Sequence, residues 1–241
     1  MCVIIRKPKG TDISLENLKR CWTANPHGAG LMFATNGFVK VIKGLMTLDS
    51  FLQAYQQNYL VEKEAIIHFR LASAGEISPD LTHPFWVFKD GETEGDIAFV
   101  HNGHLSDYDT GGISQSDTTV FRDEILSKLP HNFLHNEAIM ELLRNYIYGS
   151  VLVFMDNLGM INTVGNFGDA GCGFSMNGIW YSNDYWLRED SCNNEEDQSE
   201  STLDEEEKVE LYTMELRDVR DRLEAEEYMQ EYIQPDMFPE V

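Results

Sequence analysis

The sequence predicts an α+β fold in which β-sheets lie between layers of helices. Three observations support this prediction. The first 187 residues are dominated by short apolar runs bounded by polar or glycine-containing turns, a pattern typical of hairpin-connected strands. Two longer segments with helical character, 116–129 and 136–148, lie in the middle and are followed by further strands. Hydrophobic residues make up 42% of the 241 residues, which is a globular composition.

The N-terminal half contains the clearest local signals. Thr35-Asn36-Gly37 separates two apolar runs and predicts a tight β-hairpin. Apolar residues recur at helical spacing through Leu48, Phe51 and Tyr55, so a helix is expected over residues 47–59. The strands predicted along the chain are residues 3–5, 30–34, 38–42, 65–71, 85–88, 97–101, 151–155, 160–164 and 179–182.

The first of the two central helices has a recognisable start. Ser116 is suited to the N-cap position, and the acidic Asp117 follows it in the first turn, where the helix dipole favours a negative charge. Residues 156–159 then predict a second hairpin. Residues 1–187 are therefore expected to form one domain.

The C-terminal part has a different composition. We expect residues 188–202 to be an acidic linker and residues 203–241 to be an acidic, helical tail. Residues 189–241 contain 20 acidic and 4 basic side chains, which is most of the net charge of −23. Such a surface repels phosphate groups, so direct binding to nucleic acid is not expected.

The remaining bulk features exclude several classes of protein. No apolar run approaches the roughly 20 residues that a membrane span requires. The four cysteines are scattered without paired spacing, so neither a zinc site nor any other metal or cofactor is expected. Free thiols without a signal peptide indicate a reducing cytoplasm. The histidines at 27, 83, 101 and 104 are expected to be core or hydrogen-bonded residues.

Met1-Cys2 is the first chemical signal. Initiator methionine is removed when the second residue is small, and removal would leave Cys2 with a free α-amine. The amine has an ordinary pKa of about 7.7–8.0 and the thiol about 8.5, so one residue would carry a nucleophile and a neighbouring base. Many proteins have cysteine in second place by chance, so this signal requires support from other residues.

Asn102-Gly103 follows an apolar strand directly and is the second signal. An acyl-transfer enzyme needs hydrogen-bond donors where negative charge develops on oxygen, and an Asn amide with a Gly backbone N–H supplies two. The same dipeptide is also the commonest tight turn without any chemical role.

Arg70 and Asp117 are the third and fourth signals. An Arg at the end of the apolar run 65–67 is expected to hold a fixed anion, such as a carboxylate, with its planar fork. A structural salt bridge satisfies the same requirement. Asp117 is expected either to cap its helix or to pair with the ammonium group of a substrate.

In their order along the chain, these residues resemble the class II glutamine amidotransferase domains of the N-terminal-nucleophile hydrolase superfamily. The resemblance covers about residues 2–185. Four elements carry it: Met1-Cys2, His68-x-Arg70 with Ser73 and Gly75, Asn102-Gly103 with Leu105, and Ser116-Asp117-Thr118. In addition, residues 25–31 resemble the family's early glycine-containing segment, and residues 82–85 resemble its His-Pro-Phe stretch.

The resemblance implies a fold and a reaction. The fold is a four-layer αββα sandwich of two mostly antiparallel sheets between helical layers. Cys2 would attack the side-chain amide of glutamine, with its own amine as the base, and form a thioester that water hydrolyses. Asn102 and Gly103 would form the oxyanion hole.

The resemblance also implies a binding site for the substrate and a partner. Arg70, assisted by Ser73, would bind the α-carboxylate of glutamine, and Asp117 would bind its α-ammonium group. Leu71 departs from the aromatic residue that many members carry. Because no synthase domain follows in this sequence, the ammonia is expected to reach an acceptor on a separate synthase subunit.

Two alternatives remain open from the sequence. One is an N-terminal-Cys amidase that acts on a different amide. The other is a non-catalytic binding or scaffold protein that retains the fold.

Overall fold

A computed structural model of the protein describes residues 1–89, 95–108, 114–165 and 173–187. The predicted linker and tail, residues 188–202 and 203–241, lie outside the described residues. The described strands are β1 Val3–Lys7, β2 Ala29–Thr35, β3 Phe38–Leu45, β4 Ala65–Phe69, β5 Phe85–Phe88, β6 Ile97–Asn102, β7 Val151–Asp156, β8 Ile161–Gly165, β9 Phe174–Met176 and β10 Ile179–Tyr181. The described α-helices are α1 Leu15–Ala24, α2 Leu48–Gln57, α3 Asp117–Glu124 and α4 Glu137–Tyr146.

The strands form two antiparallel sheets. The six-stranded sheet has the order β3-β2-β4-β1-β10-β9, and the four-stranded sheet has the order β5-β6-β7-β8. In the six-stranded sheet the N-terminal strand β1 is central and pairs with β4 on one side and β10 on the other. The first residues of the chain therefore lie between two strands that come from distant parts of the sequence.

Alternation along the strands produces four layers. Ile4, Ile66 and Val100 belong to an apolar cluster that lies between the two sheets. Their neighbours Ile5 and Ile67 point the other way and pack with α1 and α2. The outer face of the four-stranded sheet packs against α3 and α4 in a third cluster. The predicted α+β sandwich of two antiparallel sheets between helical layers is therefore confirmed.

Local signals in the sequence account for several boundaries. Asn36 and Gly37 have φ values of 51° and 79°, as the predicted hairpin between β2 and β3 requires. Ser116 is the N-cap of α3, as predicted, and its side chain accepts a hydrogen bond from the Thr119 N–H at 3.3 Å. Thr47 caps α2 in the same way.

One predicted helix was too long, and two described elements were not predicted. The helix predicted over 116–129 ends as α3 at Glu124 and is followed by a 3₁₀ turn, because Ile125 leaves helical geometry with φ −119° and ψ −65°. Helix α1 was not predicted, since its apolar stripe is narrow and buries only Leu18 and Cys21. Strand β9, three residues long, was not predicted either.

The predicted strand 65–71 ends earlier, at Phe69, for a reason that concerns the site. The Arg70 N–H still reaches a neighbouring backbone carbonyl, that of Gly28, at 2.8 Å. The next N–H, that of Leu71, donates to the sulfur of Cys2 at 3.3 Å. The backbone ladder therefore ends where a side chain replaces the carbonyl acceptor.

Candidate active site

The Cys2 thiol lies at the end of the six-stranded sheet, beside the residues that follow β4. Val3 is paired with Phe69, so the register places Cys2 level with Arg70. The Cys2 Sγ accepts from the Leu71 N–H at 3.3 Å and donates to the Leu71 carbonyl at 3.5 Å. The residue is partly exposed. The thiol is thus held by the N–H and the carbonyl of one residue of the neighbouring loop.

The environment of this thiol favours the protonated form. Burial raises the pKa of the Cys2 thiol, while the Leu71 N–H, the positive charge at the chain terminus and Arg70 lower it. Burial is the largest of these effects. A base beside the sulfur is therefore needed to generate the thiolate that acts as a nucleophile. While Met1 is attached, the Cys2 nitrogen is an amide and cannot act as that base.

Arg70 is 3% exposed, and its guanidinium binds carbonyl groups of the loop that follows it. Its Nη1 donates to the Glu76 carbonyl at 2.8 Å and its Nη2 to the Ala74 carbonyl at 3.1 Å. Burial lowers the pKa of Arg70, while the nearby acidic groups of Cys2 and Asp117 raise it. Two of the five N–H donors of the guanidinium are used in this way, which leaves three for other acceptors. Ser73, on the same loop, is exposed.

Asp117 is the first residue of α3 and is 6% exposed. Its Oδ2 accepts from the Leu105 N–H at 2.8 Å and lies 3.4 Å from His104 Nδ1. Its Oδ1 accepts from the Thr118 N–H at 2.7 Å. The carboxylate therefore fixes the turn that follows Asn102-Gly103 to the start of the helix.

Asn102 is the last residue of β6 and is 1% exposed. Its Nδ2 donates to the Ser182 Oγ at 2.9 Å, while its Oδ1 is buried without a hydrogen-bond partner among the described residues. Gly103 has φ 139°, and a Cβ there would lie 2.7 Å from the Ser150 Cα. Both the backbone conformation and the close approach of residue 150 therefore require glycine at this position.

Two residues that the sequence analysis did not identify connect these groups. Ser182, directly after β10, also accepts from the Ile4 N–H at 2.9 Å. Asn183 donates from Nδ2 to the Cys2 carbonyl at 2.7 Å. Cys2, the candidate nucleophile, is thus hydrogen-bonded to Asn183, and Asn102 is hydrogen-bonded to the preceding residue, Ser182. A polar residue at the end of an apolar strand identified Asn102, and the same rule applied to Ser182 would have found it.

His27 is a further contact of the loop. Its Nδ1 accepts from the Ala72 N–H at 2.9 Å, and its backbone N–H donates to the Arg70 carbonyl at 3.0 Å. The Leu71–Ala72 peptide therefore contacts Cys2 through its carbonyl and His27 through its N–H. The prediction that His27 is a hydrogen-bonded histidine is confirmed.

Three buried histidines lie next to the site: His68, His83 and His101. The rings of His68 and His83 are 4.1 Å apart, and those of His83 and His101 are 6.4 Å apart. His68 Nε2 is 3.0 Å from the His101 carbonyl, and His101 Nδ1 is 2.7 Å from the Thr118 hydroxyl. Burial lowers the pKa of His68 to about 3 and that of His101 to about 4, and it lowers that of His83 as well. All three are therefore neutral at pH 7.

A cavity of about 610 Å³ lies at the other end of the four-stranded sheet, lined by residues that include Ile97, His131 and Asp156. Ile97 is five residues from Asn102 along β6, a distance of about 17 Å in a strand. This cavity is therefore separate from the Cys2 site. Within the four described ranges, no group of three His, Cys, Asp or Glu side chains is arranged to hold a metal ion. The described helices include none with the length and apolar character of a membrane span.

Comparison with known proteins shows distant relationships. No protein-family model matches the chain. An uncharacterized protein of Methanocaldococcus jannaschii is 37% identical over 109 residues, which are 44% of this chain and 30% of that protein. The chain thus matches less than a third of this relative's length.

Two solved structures share part of the architecture. One is the glutamine phosphoribosylpyrophosphate amidotransferase from B. subtilis complexed with ADP and GMP, with a TM-score of 0.40 and 18% identity over 65% of this chain and 35% of that chain. The other, an allosteric regulatory enzyme of purine biosynthesis, has a TM-score of 0.39 and 18% identity over 65% of this chain and 36% of that chain. Both likenesses are distant, and this chain spans about a third of each of those chains.

Proposed function

We propose that this protein is a glutamine amidohydrolase that releases ammonia through a Cys2 thioester, for transfer to an acceptor on a separate synthase subunit. The observation that carries the proposal is the position of the Cys2 sulfur. The sulfur contacts the Leu71 peptide and lies level with Arg70. The Cys2 carbonyl is hydrogen-bonded to Asn183, and the neighbouring Ser182 is hydrogen-bonded to Asn102. A nucleophile, an oxyanion donor and a cation for a carboxylate are thus on neighbouring strand ends.

The proposed reaction begins after removal of Met1. The α-amine of Cys2 takes the thiol proton, and the sulfur attacks the side-chain amide carbon of glutamine. Asn102 Nδ2 and the Gly103 N–H stabilise the oxyanion. The ammonium form of the amine returns the proton to the leaving nitrogen, the C–N bond breaks and ammonia leaves. The same amine then removes a proton from water, which attacks the thioester, and glutamate and the free thiol are released.

The amino acid end of glutamine would bind at Arg70 and Asp117. Arg70 retains three N–H donors beyond those used on its loop, which is sufficient for a bidentate contact with an α-carboxylate. Ser73, exposed on the same loop, would assist. Asp117 would accept from the α-ammonium group in addition to its present donors, since a carboxylate has about four acceptor positions.

One observation favours a second candidate, an N-terminal-Cys amidase with a different amide substrate. The Arg70 fork already holds two carbonyls of its own loop, and both oxygens of Asp117 already accept N–H groups. A substrate without an α-amino group and α-carboxylate would leave these contacts intact. Comparison of glutamine with acyl amides that lack the α-amino group separates the two candidates.

The proposal is tested with the purified protein. Intact mass reports whether Met1 is removed, glutamine assays report glutamate and ammonia, and a diazoketone analogue of glutamine reports the reactive residue after peptide mapping. We expect loss of one methionine residue, equal release of the two products, and one adduct on the Cys2 peptide. A protein that retains Met1 and is not labelled at Cys2 would instead support the non-catalytic alternative.

Replacement of Asn102 by Asp is expected to lower kcat by roughly 10²–10³-fold with little change in KM. The variant has almost the same shape, but it replaces the Nδ2 donor, which lies 2.9 Å from the Ser182 Oγ, with an oxygen that cannot donate to the oxyanion. The measurement is steady-state glutamate release, with the thermal midpoint as a check on folding. Asn145→Asp on the exposed face of α4 is the matched control. An unchanged kcat in Asn102→Asp would show that Asn102 is not the oxyanion donor.

A further inference from the structure

The Ser182 hydroxyl lies at the meeting point of three strand ends. It is 1% exposed and follows β10, and it accepts from the Ile4 N–H of β1 and from the Asn102 amide at the end of β6, each at 2.9 Å. Its neighbour Asn183 donates to the Cys2 carbonyl at 2.7 Å. Two consecutive residues therefore hold the backbone on both sides of Val3 and the side chain of Asn102.

The donors and acceptors at this point are not balanced. The Ser182 oxygen receives the N–H groups of Ile4 and Asn102 at 2.9 Å and a longer contact from the Asn183 Nδ2 at 3.5 Å, and it still has its own proton to donate. The Asn102 Oδ1 is buried and has no partner within the described part of the chain. A buried acceptor without a hydrogen bond destabilises the folded state.

A half-turn of the Asn102 amide about its Cβ–Cγ bond removes this imbalance. The amide keeps its shape, and Oδ1 then occupies the place at 2.9 Å from the Ser182 Oγ. Ser182 donates its proton to Oδ1 and continues to accept from the Ile4 N–H. The Asn102 Nδ2 then lies where the oxygen lacked a partner, and both of its N–H groups are available to an incoming oxygen.

We infer that Ser182 and Asn183 are positioning residues for the proposed reaction: Ser182 orients the Asn102 amide as a donor to the oxyanion, and Asn183 holds the Cys2 backbone so that its sulfur faces that donor. This inference rests on the proposed function. A hydroxyl suits the role because it accepts from Ile4 and donates to Asn102 at the same time. An alanine at 182 does neither.

The first test replaces Ser182 in two backgrounds. Misplacement of a catalytic group by about 1 Å lowers the rate by up to about 10²-fold, so Ser182→Ala is expected to lower kcat by roughly 10–100-fold with KM near that of the parent. In an Asn102→Asp background the same change is expected to have no further effect, because the donor that Ser182 orients is already lost. Ser182→Thr, which keeps the hydroxyl, is expected to restore most of the activity.

The control is Ser175→Ala, a substitution at an exposed serine of the adjacent strand β9, which is expected to leave kcat unchanged. Thermal midpoints show whether each variant folds. The inference is overturned for Ser182 by a folded Ser182→Ala variant with the kcat of the parent, or by an equal loss in both backgrounds, since an equal loss indicates a structural role that is independent of Asn102.

The second test needs no turnover. Asn183→Ala removes the bond to the Cys2 carbonyl, so the terminus is expected to leave the Leu71 peptide and its sulfur to become more exposed. Alkylation of Cys2 by iodoacetamide, followed by peptide mapping, is then expected to be several-fold faster, while glutamate release becomes slower. Asn183→Asp removes the donor to the Cys2 carbonyl but keeps the Oδ1 acceptor for the Tyr185 N–H. It therefore distinguishes loss of the bond to Cys2 from loss of the bond to Tyr185.

The two tests distinguish failure of the inference from failure of the proposed function. Equal glutamate release by the parent and by Cys2→Ala would overturn the proposed function, whereas the alkylation rate would still report whether Asn183 holds Cys2. An unchanged alkylation rate in a folded Asn183→Ala protein overturns the inference for Asn183, whatever reaction the protein catalyses.

Discussion

Replacement of Cys2 by Ala is expected to abolish release of glutamate from glutamine and to leave the fold intact. The thiol is the only group in the proposed reaction that forms a bond to the substrate, so its loss removes the covalent intermediate itself. Stability is expected to change little, because Cys2 precedes β1 and its residue is partly exposed. Cys2→Ser keeps a hydroxyl of similar size and is also expected to be inactive or nearly so, since a hydroxyl is much less acidic than a thiol.

The measurement is glutamate formation by the two variants and the parent, each checked for Met1 removal by intact mass. Cys21→Ala is the matched control, since Cys21 is a fully buried thiol on the inner face of α1 and lies in the apolar cluster with Leu18. That variant is expected to lose some stability and to keep its kcat. Equal rates in the parent and in Cys2→Ala would show that Cys2 is not the nucleophile.

The protein is expected to lose a large part of its stability between pH 6.5 and pH 5. His68, His83 and His101 are buried, and their burial lowers the pKa of each below the ordinary value of about 6.5. For His83 the positive charges of Lys43 and Arg70 and the two other imidazoles act in the same direction. The folded chain therefore keeps all three rings neutral under conditions in which the unfolded chain protonates them.

The sign of this effect follows from proton linkage. Below about pH 6.5 the unfolded state binds protons that the folded state does not, so the free energy of unfolding falls as the pH falls. The loss continues until the folded-state pKa values of about 4 for His101 and about 3 for His68 are reached. His68 and His101 each contribute about 1.4 kcal/mol per pH unit, which is about 2 kcal/mol at pH 5 for each of them. His83 acts in the same direction. The sum is a large part of the stability of a typical domain, which is about 5–15 kcal/mol.

Urea unfolding at pH 7.5, 6.0 and 5.0 measures this loss. His83→Phe keeps the ring contacts with His68 and Phe85 and removes two nitrogens that have no partner among the described residues. We expect this variant to lose less stability than the parent between pH 7.5 and pH 5, because it has no imidazole to protonate at position 83. Replacement of the exposed His135 by Gln is the control and is expected to lose as much as the parent. A free energy of unfolding that is the same at the three pH values would contradict the prediction.

The elements that the sequence predicted correctly are those with strong local signals. The Asn36-Gly37 hairpin needs positive φ at both positions, which these two residues adopt at low cost. The Ser116 cap of α3 likewise depends only on residues within one turn. Helix α1 and strand β9 were missed because their apolar patterns are short. Helix α1 is stabilised by packing against the six-stranded sheet, and β9 is stabilised by pairing with β10 at the edge of that sheet.

The candidate site was predicted only in part. The residues selected from the sequence were polar residues or glycines at strand and helix ends, namely Cys2, Arg70, Asn102, Gly103 and Asp117. The structure brings Cys2, Arg70 and Asn102 to neighbouring strand ends. The present partners of Arg70 and Asp117, which are groups of the chain itself, were not predicted. The roles of Ser182 and Asn183 were not predicted either, because they depend on contacts with residues that are far away in the sequence.

The sequence by itself determined the order of nine of the ten described strands and three of the four described α-helices, the alternation that forms two apolar faces on each sheet, and the residue types able to perform acyl transfer. Only the tertiary structure decided which of those residues meet. The contacts of Cys2 with Leu71, of Asn102 with Ser182 and of Asn183 with Cys2 join residues 69, 80 and 181 positions apart. Propensity and periodicity act over a few residues, whereas these contacts exist because β1 lies between β4 and β10 and the two sheets pack face to face.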